Sequence, residues 1–169
     1  MNVYLSGIIG SGKTTIGRRL AEQLRWEFLD LDMEMDRILG YSFHKLVQEQ
    51  GWLAFRELEY SICKDFSRRR HAIVALGGGT VRYEWNRDIL KGSGPIIHLN
   101  TPLHVLIERV RKADRPRVHA STTLEEDIHR IWTESGHKYL EAAYIVYETE
   151  HKSLAEEIRE LKEIVMTLP

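Results

Sequence analysis

The sequence holds a single cysteine, Cys63. One thiol excludes an intramolecular disulfide framework and suits a reducing compartment. No apolar run approaches the roughly 20 residues that a membrane-spanning helix needs. The opening residues, Met1-Asn2-Val3-Tyr4-Leu5, have neither the length nor the basic start of a secretory signal. An excess of one charge is missing too. Lys and Arg number 24 against 25 Asp and Glu, for a formal net charge of −1. That balance argues against a protein that grips nucleic acid by bulk electrostatics. There is no internal repeat and no low-complexity tract. None of the eight histidines falls in an H-x-H or H-E-x-x-H spacing, so no zinc site is expected.

What is present is 169 residues, 43% apolar and 29% charged, the balance of one soluble globular domain. A chain of this size buries about two-thirds of its unfolded surface and needs no disulfide or metal staple. The expectation is a cytoplasmic protein with a single domain over residues 1–169 that has no nucleic acid or membrane partner and acts as a monomer.

Val3-Tyr4-Leu5 reads as a buried strand that stops at Ser6-Gly7, after which Ile16, Leu20 and Leu24 recur at helical spacing. Glu27–Leu29, His71–Leu76, Pro95–Leu99 and Tyr144–Tyr147 are further strand candidates. Residues 34–70 read as helical, with breaks at Gly40 and Gly51. Thr101 and Pro102 read as the cap and first turn of a helix whose apolar face is Leu103, Leu106 and Val110. Residues 113–122 have little apolar periodicity and read as a mobile loop. Thr122 and Thr123, each with a glutamate three residues later, announce the next helix through a capping box. Ser153 and Glu156 announce the last helix, with Leu154, Ile158, Leu161 and Val165 as its apolar face. Five strands alternating with helices predict an α/β fold, a five-stranded parallel sheet with helices on both faces.

The chemistry starts at Gly7-Ile8-Ile9-Gly10-Ser11-Gly12-Lys13-Thr14, which matches G-x-x-x-x-G-K-[ST] between a strand and a helix. Glycines let successive N–H groups converge on one phosphate, and the following helix adds its positive N-terminus. Lys13 would reach the β- and γ-phosphates, and the Thr14 hydroxyl would ligate Mg²⁺. A nucleoside triphosphate with Mg²⁺ is therefore the expected ligand. No N-K-x-D follows, which argues against a small GTPase.

Other segments point to an acceptor. Phe28-Leu29-Asp30-Leu31-Asp32 places two carboxylates at the end of the second strand, where alternate residues face the same way. One could orient water on Mg²⁺ while the other takes a proton from a hydroxyl nucleophile. In Phe55-Arg56-x-x-Glu59 the charged residues are neighbours on a helix. Glu59 could hold the Arg56 guanidinium for a two-pronged grip on a carboxylate. Gly77-Gly78-Gly79 weakens a strand end, which makes sense where a ligand takes backbone N–H groups. Arg109, Arg111, Arg115 and Arg117 crowd a helix end and the loop after it, where a lid can bring a cation over a transferring phosphoryl group. Each has a plainer reading: solvated carboxylates, a surface ion pair, an ordinary loop, a basic patch.

In this order, a P-loop, D-x-D, F-R-x-x-E, G-G-G and an R-P lid, the chain resembles shikimate kinase from about Asn2 to the final helix. The resemblance implies a P-loop kinase fold like that of nucleoside monophosphate kinases, with strand order 2-3-1-4-5. It also implies ATP-dependent phosphorylation of the shikimate 3-hydroxyl. Position by position, it implies that Gly10, Ser11, Gly12, Lys13, Thr14 and Thr15 hold the ATP phosphates. Thr14 would bind Mg²⁺, and Asp30 would do so through water. Asp32 would contact the acceptor hydroxyl, Arg56 the carboxylate, and Gly78 and Gly79 the acceptor through their backbone. Arg115 resembles the lid arginine, and Arg109 the one that stacks on adenine. Lys13, Asp32 and Arg115 would carry the catalysis. A region of about residues 32–60 would bind the acceptor, and residues 113–122 would form the lid. Ser135 stands where the resemblance places a second carboxylate-binding arginine, and Lys138, His137 and Arg117 are nearby cations that could stand in. The alternatives are a kinase of another sugar acid or polyol, such as gluconate, and a kinase-like ATP-binding protein without catalysis.

Overall fold

Every residue of Val3–Ser6 (β1) is buried, as a strand covered on both faces requires. In the computed structural model, which describes residues 1–113 and 121–169, β1 is central in a sheet of order β2-β3-β1-β4-β5. Its companions are Glu27–Asp30 (β2), Ala72–Ala75 (β3), Ile96–Asn100 (β4) and Ile145–Glu148 (β5). All four pairings are parallel, so the expected α/β architecture and strand order are both found.

Alternate strand residues feed two separate cores. Val3, Leu5, Ile73 and Ile97 pack against Lys13–Leu24 (α1) and Leu154–Thr167 (α7). Tyr4, Val74 and Ile96 face the other way. There they meet Leu31–Leu39 (α2), Phe43–Ser67 (α3), Glu84–Lys91 (α4), Leu103–Lys112 (α5) and Leu124–Ala142 (α6).

Most helix boundaries fall where local chemistry puts them. Gly40 closes α2 at φ 74° and donates its N–H to the Asp36 carbonyl. Gly51, at φ 85°, breaks the helical path inside α3. The Thr123–Glu126 and Ser153–Glu156 capping boxes both form and start α6 and α7.

Two expectations are corrected. Asp30 and Asp32 do not lie together on an extended strand. The Asp30 carboxylate accepts the Met33 N–H at 3.0 Å and so caps α2, leaving Asp32 in that helix's first turn. Thr101 does not cap α5, which starts after Pro102, because the Thr101 hydroxyl is paired with the Thr149 hydroxyl at 2.7 Å. Residues 80–91 carry a 3-10 turn, Thr80–Arg82, and then α4, neither of which the sequence pattern suggested. The expected lid falls mainly on residues 114–120, outside the described residues, and Arg115 and Arg117 go with it.

Candidate active site

The loops that leave β1, β2 and β3 border one cleft of about 1190 Å³. At one end is the P-loop. Gly10 and Gly12 hold φ of 87° and 93°, backbone that side chains rarely adopt. A Cβ on Gly10 would also press on Val110 Cγ2 at 2.9 Å. The Lys13 ammonium lies within the loop, donating to the Gly7 carbonyl at 2.7 Å and the Ile8 carbonyl at 3.3 Å. Ser11 is buried behind the loop, while Thr14 and Thr15 line the cleft from the first turn of α1. Arg109, from α5, donates to the Gly10 carbonyl at 3.0 Å and so stands at this same end.

Two carboxylates follow. The Thr14 hydroxyl donates to Asp30 Oδ2 at 2.6 Å, so a hydroxyl oxygen and a carboxylate oxygen sit side by side at the loop. Asp32 lines the cleft two residues on and faces Gly77, whose Cβ, if present, would be 3.1 Å from Asp32 Oδ1. Burial pushes its carboxyl up to about 6; the charges of Asp30, Glu59 and Asp36 act the same way, and Lys13 opposes them. Asp32 is thus within the electrostatic reach of both ends of the cleft.

The other end is built around Arg56. Its Nη1 meets both carboxylate oxygens of Glu59, at 2.9 and 3.1 Å. Glu59 has no exposure, and it also accepts from the Thr80 hydroxyl at 3.0 Å and the Asn86 amide at 3.1 Å. The pairing read from i,i+3 spacing is therefore a buried brace rather than a surface ion pair. Arg56 lies against the rings of Tyr83, Phe55 and Trp52. Gly79 is small because a Cβ there would sit 3.1 Å from Arg56 Nη2. The Gly78 carbonyl accepts from the Tyr139 hydroxyl at 2.5 Å. Burial holds that phenol up at about 12, against the pull of Arg82 and Arg56, so it remains a donor.

The cleft therefore gathers Lys13, Thr14, Asp30, Asp32, Arg56 and Arg109, along with Gly78 and Gly79. Sequence reasoning did not single out Thr80, Asn86, Tyr139 or Arg82. Arg82 extends from the 3-10 turn into the cleft, with its Nε 3.1 Å from the Ser135 hydroxyl. Their partners lie 6 to 61 residues away, so no local motif signals them.

Residues 9–166 match the family model of shikimate kinase. The shikimate kinase of Chlorobium luteolum is 36% identical over 167 residues, covering 94% of this chain and 82% of that protein. That of Acinetobacter baylyi is 32% identical, covering 98% and 92%. Among solved structures, the shikimate kinase of Acinetobacter baumannii in complex with shikimate superposes with a TM-score of 0.90 at 30% identity, over 98% of this chain and 93% of that one. The Aquifex aeolicus shikimate kinase superposes at 0.84 with 26% identity, over 98% and 96%.

Proposed function

This chain belongs to the shikimate kinase family, and we propose that it transfers the γ-phosphoryl group of ATP to the 3-hydroxyl of shikimate. One observation carries the reading to the residues: a P-loop lysine and a braced arginine line the same cleft, and Asp32 in that cleft feels the charges of Lys13 and of Glu59, the arginine's partner.

In this reading the backbone N–H groups of Gly10–Thr15 and the Lys13 ammonium hold the triphosphate, and Lys13 follows the charge that gathers on the γ-phosphoryl oxygens. The adjacent oxygens of Thr14 and Asp30 fit a hard cation, which takes oxygen ligands and keeps several waters. Thr14 and Asp30 would hold Mg²⁺, Asp30 by way of water, and the ion would supply charge that offsets the phosphates. Arg56 receives the shikimate carboxylate, and Gly78 and Gly79 offer backbone contacts. Asp32 orients the 3-hydroxyl and takes its proton as the oxygen bonds to the γ-phosphorus; the bond to the β,γ-bridging oxygen breaks and ADP leaves. Arg115, in the lid of residues 113–122, brings a further cation to the transferred group, and Arg109 stacks on adenine. Residues 32–60 form the acceptor-binding region of a single kinase domain. The buried thiol of Cys63 supports a cytoplasmic setting.

ADP release against a panel of shikimate, gluconate and an uncharged polyol tests the assignment. Shikimate gives the highest kcat/KM. A polyol that outperforms it would overturn the acceptor while leaving a kinase.

A further inference from the structure

Four cleft-lining arginines besides Arg82 are already engaged. Arg56 is paired with Glu59, Arg111 with Glu125 and Arg130 with Asp127. Arg109 is held at the phosphate end by the Gly10 carbonyl. Arg82 differs from all of them. Among the described residues no carboxylate lies within ion-pair distance of it, and its bonded partner is the neutral Ser135 hydroxyl at 3.1 Å. It is half-buried, so its charge is partly shielded from water. Its position is fixed as well: the point where a Gly79 Cβ would sit is 3.6 Å from Arg82 Cδ and 3.1 Å from Arg56 Nη2. The two guanidinium side chains therefore pass over the same glycine.

The charge balance at this end matters. Arg56 and Glu59 together are neutral, so that pair alone offers an anion directed hydrogen bonds and little net attraction. Asp32, a further carboxylate, lines the same cleft. A net positive charge here has to come from elsewhere. Neither His137 nor Lys138 supplies it. His137 is exposed on α6 and Lys138 does not line the cleft, while Arg117 lies outside the described residues.

We propose that Arg82 is the second carboxylate-binding residue for the acceptor, and that Ser135 is its positioning residue. This rests on the shikimate reading above. Arg56 and Arg82 then grip the carboxylate from two elements, α3 and the 3-10 turn. Ser135 fixes the guanidinium by occupying Nε, which leaves the two terminal nitrogens for the ligand.

The test is steady-state kinetics of the full chain with shikimate and with its methyl ester, which lacks the charge. Arg82→Met raises the shikimate KM about tenfold to a hundredfold, the range for losing a hydrogen bond to a charged group, and leaves the ATP KM unchanged. On the methyl ester, wild type and Arg82→Met have the same KM. Arg82→Lys recovers part of the shikimate loss, and Ser135→Ala raises the shikimate KM a few-fold with kcat preserved. An unchanged shikimate KM in Arg82→Met overturns the proposal, as does an equal loss on the ester or on ATP. Wild-type protein that makes no ADP with shikimate overturns the functional reading itself, which separates the two failures.

Discussion

Asp32 is the residue whose surroundings are most at odds with its charge. With its carboxyl raised to about 6, it is ionised at neutral pH yet basic enough to take a proton. If it serves as the proton acceptor, kcat/KM falls about tenfold per pH unit below pH 6, because the protonated form cannot act. Asp32→Asn abolishes transfer at every pH and keeps nucleotide binding, which titration with a fluorescent ATP analogue checks. The same shift bears on stability. A folded carboxyl with a raised pKa binds its proton more tightly than the unfolded chain does. Its stabilising contribution is therefore present below about pH 4 and lost as pH rises through about 6. Asparagine cannot ionise, so Asp32→Asn is more stable than wild type at pH 7, by up to about 3 kcal/mol. Denaturant melts at pH 7 measure this, and a less stable variant would contradict it. Lys13→Ala has the opposite profile: kcat falls about a hundredfold or more with the fold kept, since the ammonium acts mainly on transition-state charge.

At the scale of elements, α3 and the 3-10 turn act as one brace. Glu59 joins Arg56 from its own helix to Thr80 of the 3-10 turn and Asn86 of α4. Removing it leaves Arg56 buried without its counter-charge, so Glu59→Ala costs about 3 to 5 kcal/mol of stability, seen in thermal or denaturant melts. Gly79→Ala is gentler: its Cβ pushes the Arg56 guanidinium aside, which raises the acceptor KM and leaves the ATP KM as it was. The difference between these segments explains what could be read from sequence. The P-loop, the Arg56–Glu59 spacing and both capping boxes are local, with every partner within a few residues. Asp30 was readable as a carboxylate at the site but not as a helix cap, because cap and strand end differ only in where one N–H points. Thr101 has the chemistry of a cap, yet its hydroxyl goes to Thr149 on another strand's end. Ser135 looked like a gap left by an arginine. In the fold it is a partner to Arg82, 53 residues away, a relation that no spacing rule encodes.

At the scale of the whole molecule, the strand order puts the phosphate loop on central β1 and the acceptor elements beside it. β2 leads into Asp30 and Asp32, and β3 into the three glycines. Ligands gather at the carboxyl ends of parallel strands in such sheets, and here both substrates' elements leave from neighbouring ones. The parallel sheet was legible in the alternation of strands and helices, whereas the strand order was implied only by the resemblance to shikimate kinase. The distance between the two ends, and the charges facing each other across it, came only with the packed chain. The measurement that tests the account most directly is phosphorus–proton correlation by NMR on the product formed from ATP, Mg²⁺, shikimate and the purified chain. The expected result is one new phosphate monoester whose phosphorus couples to the proton on carbon 3 of shikimate. No shikimate-dependent ester, or an ester at another hydroxyl, would contradict it.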